Sequence, residues 1–366
     1  MMENELLNML SVAGDSGSVN LIIILVCIAV AIVFIITSIF YFITKKLVDT
    51  ALDRDLPKVV EVASKRVFSG SDKLEKIFSL QKEYSDKLEA VPHENVSITS
   101  FDGETLVGHL YKKEGAKRTL IAFHGWRSTW SMDLGIVADF MFENDCNVLF
   151  PEQRGQSASG GKYMGFGLLE RYDCLYWAEY ADKLGFNLPI YLLGVSMGAA
   201  TVLMASSLDL PSSVHGIIAD CGYTSPYAEW KYVSEKNLHL AYTGIRAAIV
   251  DDMAKRKLGK ADSRFSSADA LKSARVPVLF VHGSSDTFVP VTMTYENYIA
   301  CASEKELLIV PGADHGMSYL VEREKYERTV LAFWKKHDND KPTERIKHEL
   351  SEMPEVTGAG VTGAGV

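Results

Sequence analysis

A chain of 366 residues, 47% apolar and 23% charged, has an ordinary globular composition, which excludes wholesale disorder and fibrous repeats. The formal net charge of −9 leaves no surplus of Lys and Arg to neutralise phosphates, which excludes a general nucleic-acid binder. Five cysteines, Cys27, Cys146, Cys174, Cys221 and Cys301, form no CxxC pair; this removes disulfide scaffolds and the usual zinc spacings and suits a reducing compartment.

After a short segment at 1–20, Leu21–Ile43 runs 23 residues without a charge. At 1.5 Å per residue it reaches roughly 34 Å, enough to cross a hydrocarbon core as a transmembrane helix. Thr37 and Ser38 are tolerated because their hydroxyls bond back to helix carbonyls. Residues 1–20 hold no Lys or Arg, and the end of the run lacks a small-residue cleavage pattern, so the reading is an uncleaved anchor rather than a signal peptide. Lys45, Lys46, Arg54, Lys58 and Lys65 follow it, and the positive-inside rule then places the remainder in the cytoplasm, on a single-pass cell-membrane protein.

Residues 44–92 form a charged stalk, with ten basic and nine acidic side chains between 45 and 90. Apolar residues at helical spacing predict two amphipathic helices, broken near Ser69-Gly70 and closed by Pro92. From 93 to 337 short apolar runs alternate with helical patterns. Strands are expected at Val96–Thr99, Leu106–Tyr111, Thr119–Phe123, Asn147–Phe150, Ile190–Leu193, Gly216–Ala219, Val278–Val281 and Lys305–Ile309, with helices such as Leu168–Leu184 and Ala199–Leu208. The first two strands alternate polar and apolar, which suits an antiparallel edge, whereas the later ones are continuously apolar and suit burial under helices on both faces. The fold class is therefore α/β with a mostly parallel central sheet, in one domain. The tail, 338–366, ends in a repeated VTGAG unit that has no apolar face and reads as disordered.

In such sheets ligands bind beyond the carboxyl ends of the strands, so the residues after each strand are the place to look for chemistry. After Ile190–Leu193 comes Gly194-Val195-Ser196-Met197-Gly198, a GxSxG between a strand and a small-residue helix start. Ser196 is the candidate nucleophile, and side chains at Gly194 or Gly198 would collide with neighbouring elements. A serine needs a base and the base an orienting acid. His315, in the loop after the last strand, is the base; His124 and His282 lie in apolar runs and read as structural. Asp286, leaving strand Val278–Val281, is preferred as the acid over Asp220. The oxyanion donors expected are the backbone N–H groups of Met197 and Trp126, with His124 bracing the loop that carries Trp126.

His124-Gly125-Trp126, Gln153-Arg154-Gly155-Gln156-Ser157, Gly194–Gly198, Gly283–Asp286 with Val289-Pro290, and Asp314-His315-Gly316 together resemble the α/β-hydrolase superfamily. Within it the likeness is to bacterial membrane-anchored serine aminopeptidase-like and BEM46-like groups, over about residues 95–337. Glu152-Gln153-Arg154 departs from the Asp-x-Arg of relatives, in a loop whose role is structural. The resemblance implies an α/β-hydrolase fold with a helical lid at about 222–270. Tyr223, Tyr227, Trp230, Tyr232 and Tyr242 there either line an acyl pocket or simply pack the lid.

The expected function is a membrane-anchored serine esterase cleaving carboxylic esters or thioesters, with a small-molecule or lipid-like acyl substrate and no metal or organic cofactor. A peptidase or acyltransferase using the same triad, or a silent hydrolase fold serving as an interaction module, are the alternatives.

Overall fold

The computed structural model describes residues 2–56 and 72–340. The predicted break near Ser69-Gly70 and the VTGAG tail lie outside the described residues. The chain divides after Val48 into two units.

The first unit belongs to helix α1 (Met2–Leu52). From Asn20 onward this helix is long and apolar enough to cross a membrane, with a mean hydropathy of 3.3 in its most apolar window. Its side chains from Leu21 to Phe42 are exposed, apart from the half-buried Phe40. Thr37 Oγ1 donates to the carbonyls of Val33 and Phe34 at 2.9 and 3.0 Å, the back-bonding that lets a hydroxyl sit in such a run.

The second unit contains an eight-stranded sheet in the order β1-β2-β4-β3-β5-β6-β7-β8. Its strands are β1 (Glu94–Thr99), β2 (Thr105–Tyr111), β3 (Arg118–Phe123), β4 (Cys146–Pro151), β5 (Ile190–Val195), β6 (Val214–Asp220), β7 (Val278–Gly283) and β8 (Lys305–Val310). All eight expected strands are present. β1–β2 and β2–β4 pair antiparallel and the other pairs are parallel, as the alternation in the first two and the continuous apolar character of the rest predict.

Period-2 alternation decides which side chain meets which layer. Leu120, Val148, Tyr191, Leu193, Leu279 and Val281 point to one face, beneath α3 (Trp130–Glu143) and α11 (Arg323–His337). Ile121, Leu149, Leu192, Ile217 and Phe280 point to the other, beneath α4 (Glu170–Lys183) and α5 (Met197–Ala205). The stalk helix α2 (Asp72–Ala90) lies on α3, where Ser85 Oγ donates to Ser131 Oγ at 2.9 Å, and Tyr111 Oη caps it by donating to the Leu88 carbonyl at 2.9 Å. Residues 222–270 are helical as expected: α6 (Pro226–Tyr232), a π turn (Val233–Asn237), α7 (Gly244–Lys257) and α8 (Ser267–Leu271). α9 (Val291–Ala300) and α10 (Ser318–Val321) complete the domain. The packed region extends past 337, because Asp338 pairs with Arg118 at 2.7 Å.

Parallel pairing of β3 with β5, Phe123 opposite Gly194, brings the loops at 124–129 and 194–198 side by side at the carboxyl edge. The pairing of β7 with β8, Gly283 opposite Val310, does the same for the loops bearing Asp286 and His315.

Candidate active site

Ser196 sits at the turn between β5 and α5 with φ 56° and ψ −116°, a left-handed region that costs a non-glycine residue of order 1–3 kcal/mol. The turn is forced by close approach on both sides. A Cβ on Gly194 would fall 2.2 Å from the Gly198 carbonyl oxygen, and one on Gly198 would fall 2.1 Å from the Phe123 oxygen. Both glycines are thus required on steric grounds, as the motif predicts. The Ser196 N–H donates to the Asp220 carbonyl at 2.9 Å, which fixes the turn to β6.

Ser196 Oγ lies 2.8 Å from His315 Nε2, and His315 Nδ1 lies 2.8 Å from Asp286 Oδ2. A carboxylate only accepts, so Nδ1 carries the proton and Nε2 is the acceptor facing the serine hydroxyl. The Asp286 side chain is fully buried. Burial alone would raise its pKa, but hydrogen bonds from His282 and His315 hold the carboxyl well below the usual range. Its Oδ1 also accepts from the N–H groups of Phe288 and Val289, both at 2.9 Å.

The competing acid, Asp220, is placed elsewhere. Its Oδ1 accepts from Ser318 Oγ at 3.1 Å, and burial pushes its pKa up to about 6. His282 is buried: Nδ1 meets Thr294 Oγ1 at 2.6 Å, and Nε2 meets the Val289 carbonyl at 3.0 Å and Asp286 at 3.1 Å. His124 is buried as well, with Nδ1 donating to the Gly125 carbonyl at 2.9 Å and Nε2 accepting from Gln153 N–H at 3.1 Å. Both are structural histidines, as read from sequence.

Met197 opens α5, so its N–H belongs to the first helical turn, which has no carbonyl behind it. Trp126 lies in the adjacent loop. That loop is held from two directions. Asp133 Oδ2 accepts from Gly125 N–H at 2.7 Å. On the other side the end of α1 and the residues after it receive four donors: Trp126 Nε1 to the Ala51 carbonyl at 2.9 Å, Arg127 Nε and Nη2 to the Thr50 carbonyl at 3.0 and 2.7 Å, and Arg127 Nη1 to the Arg54 carbonyl at 3.1 Å. The roles of Asp133, eight residues from Gly125, and of the Thr50–Arg54 carbonyls are not read from the sequence; nothing local marks a carbonyl that will meet a loop some 75 residues away.

Among the described residues Cys221, Asp286 and His315 form a group of metal-ligating type, their ligand atoms within 4.8 Å of one another. Both His315 nitrogens are already committed to Ser196 and Asp286, and burial pushes the Cys221 thiol up, towards its protonated form. The set suits proton relay better than a cation.

The sheet order, the serine turn after β5 and a Ser–His–Asp array drawn from the ends of β5, β8 and β7 define an α/β hydrolase. Residues 132–341, more than half of the chain, match the prolyl oligopeptidase family, and the chain belongs to that family. It is similar to the uncharacterized protein YqkD of Bacillus subtilis, 27% identical over 237 residues, 64% of this chain and 77% of the relative. It is also similar to the uncharacterized protein YfhR of Salmonella typhimurium, 25% identical over 241 residues, 61% and 74% of the two chains. Among solved structures it shares its fold with the Pyrococcus furiosus esterase Pf2001, at TM-score 0.55 and 24% identity over 69% of this chain and 96% of that one. Ferulic acid-bound Est1E of Butyrivibrio proteoclasticus gives TM-score 0.53 and 19% identity over 66% and 98%.

Proposed function

We propose that this chain is a membrane-tethered serine hydrolase that cleaves carboxylic esters or thioesters through an acyl-enzyme on Ser196. The observation that carries the reading is the unbroken relay at 2.8 Å from Ser196 through His315 to Asp286, set on a strained turn beside two candidate oxyanion donors.

Ser196 Oγ attacks the carbonyl carbon while its proton passes to His315 Nε2, and Asp286 balances the imidazolium. The Met197 and Trp126 N–H groups hold the oxygen that gains charge. Collapse breaks the bond to the leaving oxygen or sulfur, which takes the proton from His315. Water then gives its proton to His315 as it attacks the acyl-enzyme, releasing the acid and restoring Ser196. Membership of the prolyl oligopeptidase family favours a second reading, amide cleavage by the same residues with nitrogen as the leaving atom.

A fluorophosphonate probe is expected to label the purified protein, and Ser196→Ala to abolish labelling; labelling that survives the substitution would overturn the nucleophile. Ester against amide follows from kcat/KM on matched p-nitrophenyl ester and p-nitroanilide pairs.

The helix from Asn20 serves as the anchor, and the basic residues Lys45, Lys46 and Arg54 after it support a cytoplasmic active site. Protease added outside sealed cells should leave the hydrolase domain intact. Digestion from outside would reverse the orientation.

Arg127 acts as a positioning residue for the Trp126 donor. Arg127→Ala is expected to lower kcat by about 10- to 100-fold, the scale of a displacement near 1 Å, with little change in KM. A fall in thermal stability with unchanged kcat at low temperature would show it to be structural only.

A further inference from the structure

Glu229, on α6, faces inward and is only 2% exposed, yet neither of its carboxylate oxygens has a hydrogen-bond partner among the described residues. A buried carboxyl left in this way carries a desolvation cost of at least about 1–3 kcal/mol, and folded proteins leave few such groups unsatisfied. Glu229 is not alone. The Tyr223 hydroxyl and Trp230 Nε1 are also buried without hydrogen-bond partners among the described residues. Two of them flank one ring: Phe166 lies 6.2 Å from the Tyr223 ring and 5.4 Å, edge to face, from the Trp230 ring; Glu229 precedes Trp230 on α6 and is close enough to Tyr223 for its charge to act on the phenol. Phe166 also lies 6.1 Å from the ring of Trp126, the residue whose backbone N–H is the proposed oxyanion donor. Phe166 itself is held at φ 53°, a conformation that costs a bulky residue energy and persists where the surroundings impose it.

The unmet groups have complementary chemistry. A carboxylate amid aromatic faces favours a cation that carries N–H donors or a compact positive charge. The Tyr223 hydroxyl and the Trp230 N–H call for an acceptor within a few ångströms of that cation. An amine-bearing ester has both, an ammonium and a carbonyl only a few bonds apart. Burial pushes the Glu229 carboxyl well up, and the nearby charge of Asp286 adds to the rise, so the carboxyl tends towards its neutral form. An arriving cation would offset that repulsion.

We propose that Glu229, with Tyr223 and Trp230, is a recognition subsite for a positively charged amine on the substrate, placed within reach of the carbonyl that Ser196 attacks. The subsite narrows the ester substrate to amine-bearing ones, and it rests on the serine-hydrolase reading above.

Matched esters test it on the full-length protein in detergent. Alanine p-nitrophenyl ester against p-nitrophenyl propionate varies the acyl side; 2-(dimethylamino)ethyl butyrate, protonated and carrying one N–H, against 3-methylbutyl butyrate varies the alcohol side. The wild type should prefer the charged member of at least one pair by about tenfold in kcat/KM, the worth of one charge-assisted hydrogen bond. Glu229→Gln should cut that preference to about twofold while leaving the neutral ester within about threefold of wild type. Glu229→Asp, which keeps the charge, should retain part of it. Equal fluorophosphonate labelling of wild type and Glu229→Gln certifies that the site is folded. A preference absent from both pairs, or one that Glu229→Gln leaves unchanged, overturns the subsite. If Ser196 is unlabelled in every protein, the hydrolase reading is what fails, and binding of alaninamide followed by tryptophan fluorescence decides the subsite separately. Saturable quenching in wild type but not in Glu229→Gln supports it; equal quenching in both, or none, overturns it.

Discussion

Asp286→Asn is expected to lower kcat for a p-nitrophenyl ester by about 10⁴-fold with little effect on KM. The reason is tautomeric. Asp286 Oδ2 accepts the Nδ1 proton of His315, which leaves Nε2 as an acceptor for the Ser196 proton. Asparagine can present an NH2 to Nδ1 instead, which drives the ring proton to Nε2 and removes the base. The carboxyl is held well below the usual range by its two histidine partners, against the opposing effect of burial. Any contribution it makes to stability is therefore present above the ordinary carboxylate pKa and is lost only in strong acid, as pH falls through the lowered value. Across neutral pH Asp286 stays ionised, so an acid limb in the kcat profile does not report Asp286. Asp220→Asn is the matched control: Asp220 bonds Ser318, not His315, and its replacement should cost far less. Comparable losses for the two variants, or a loss under tenfold for Asp286→Asn, would remove Asp286 from the relay.

Much of this arrangement is legible in the residues. The eight strands are marked by apolar runs, and the antiparallel edge by alternation in β1 and β2, because burial on one face or two leaves a periodic trace. The serine turn is equally local: glycines at 194 and 198 are needed by contacts of about 2 Å that any other residue would violate. His315 and Asp286 are found by position, since the carboxyl ends of parallel strands converge on one edge. What escapes is whatever depends on partners far apart in sequence. Nothing in the sequence singles out Glu229, and only packing shows that it is buried without a hydrogen-bond partner among the described residues. Arg127 reads as an exposed loop cation, yet its donors meet the carbonyls of Thr50 and Arg54. A carbonyl acceptor has no side-chain signature, so no sequence pattern announces that pairing.

Arg154→Met is expected to destabilise the hydrolase domain by about 3–5 kcal/mol, the cost of stripping one partner from a buried ion pair. Arg154 Nε and Nη2 donate to the two oxygens of Asp173 at 2.6 Å each, and Nη1 donates to Asp102 Oδ2 at 2.6 Å. The guanidinium also lies 5.0 Å from the Phe101 ring centre. Planar, forked geometry of this kind is specific to arginine, so Arg154→Lys should recover only part of the loss. Burial already raises the pKa of Asp173, with Arg154 opposing the rise. Removing Arg154 lifts that opposition, so the folded variant binds a proton there that the unfolded chain releases at neutral pH. An acid with a raised folded pKa favours the native state at low pH and loses that advantage as pH rises. The deficit of Arg154→Met, measured by urea denaturation of the detergent-solubilised protein, should therefore shrink from pH 7.5 towards pH 5. Pairing it with Asp173→Asn should flatten that dependence. A deficit that is independent of pH in the single variant would mean that Asp173 stays ionised without its arginine, and that another cation or water reaches the pocket. The same substitution has a second consequence through the chain. Gln153, the preceding residue, donates its N–H to His124, which braces the loop bearing Trp126. Loosening the Arg154 anchor should therefore lower kcat at temperatures where the domain remains folded, which separates this pair from an ion pair that serves stability alone.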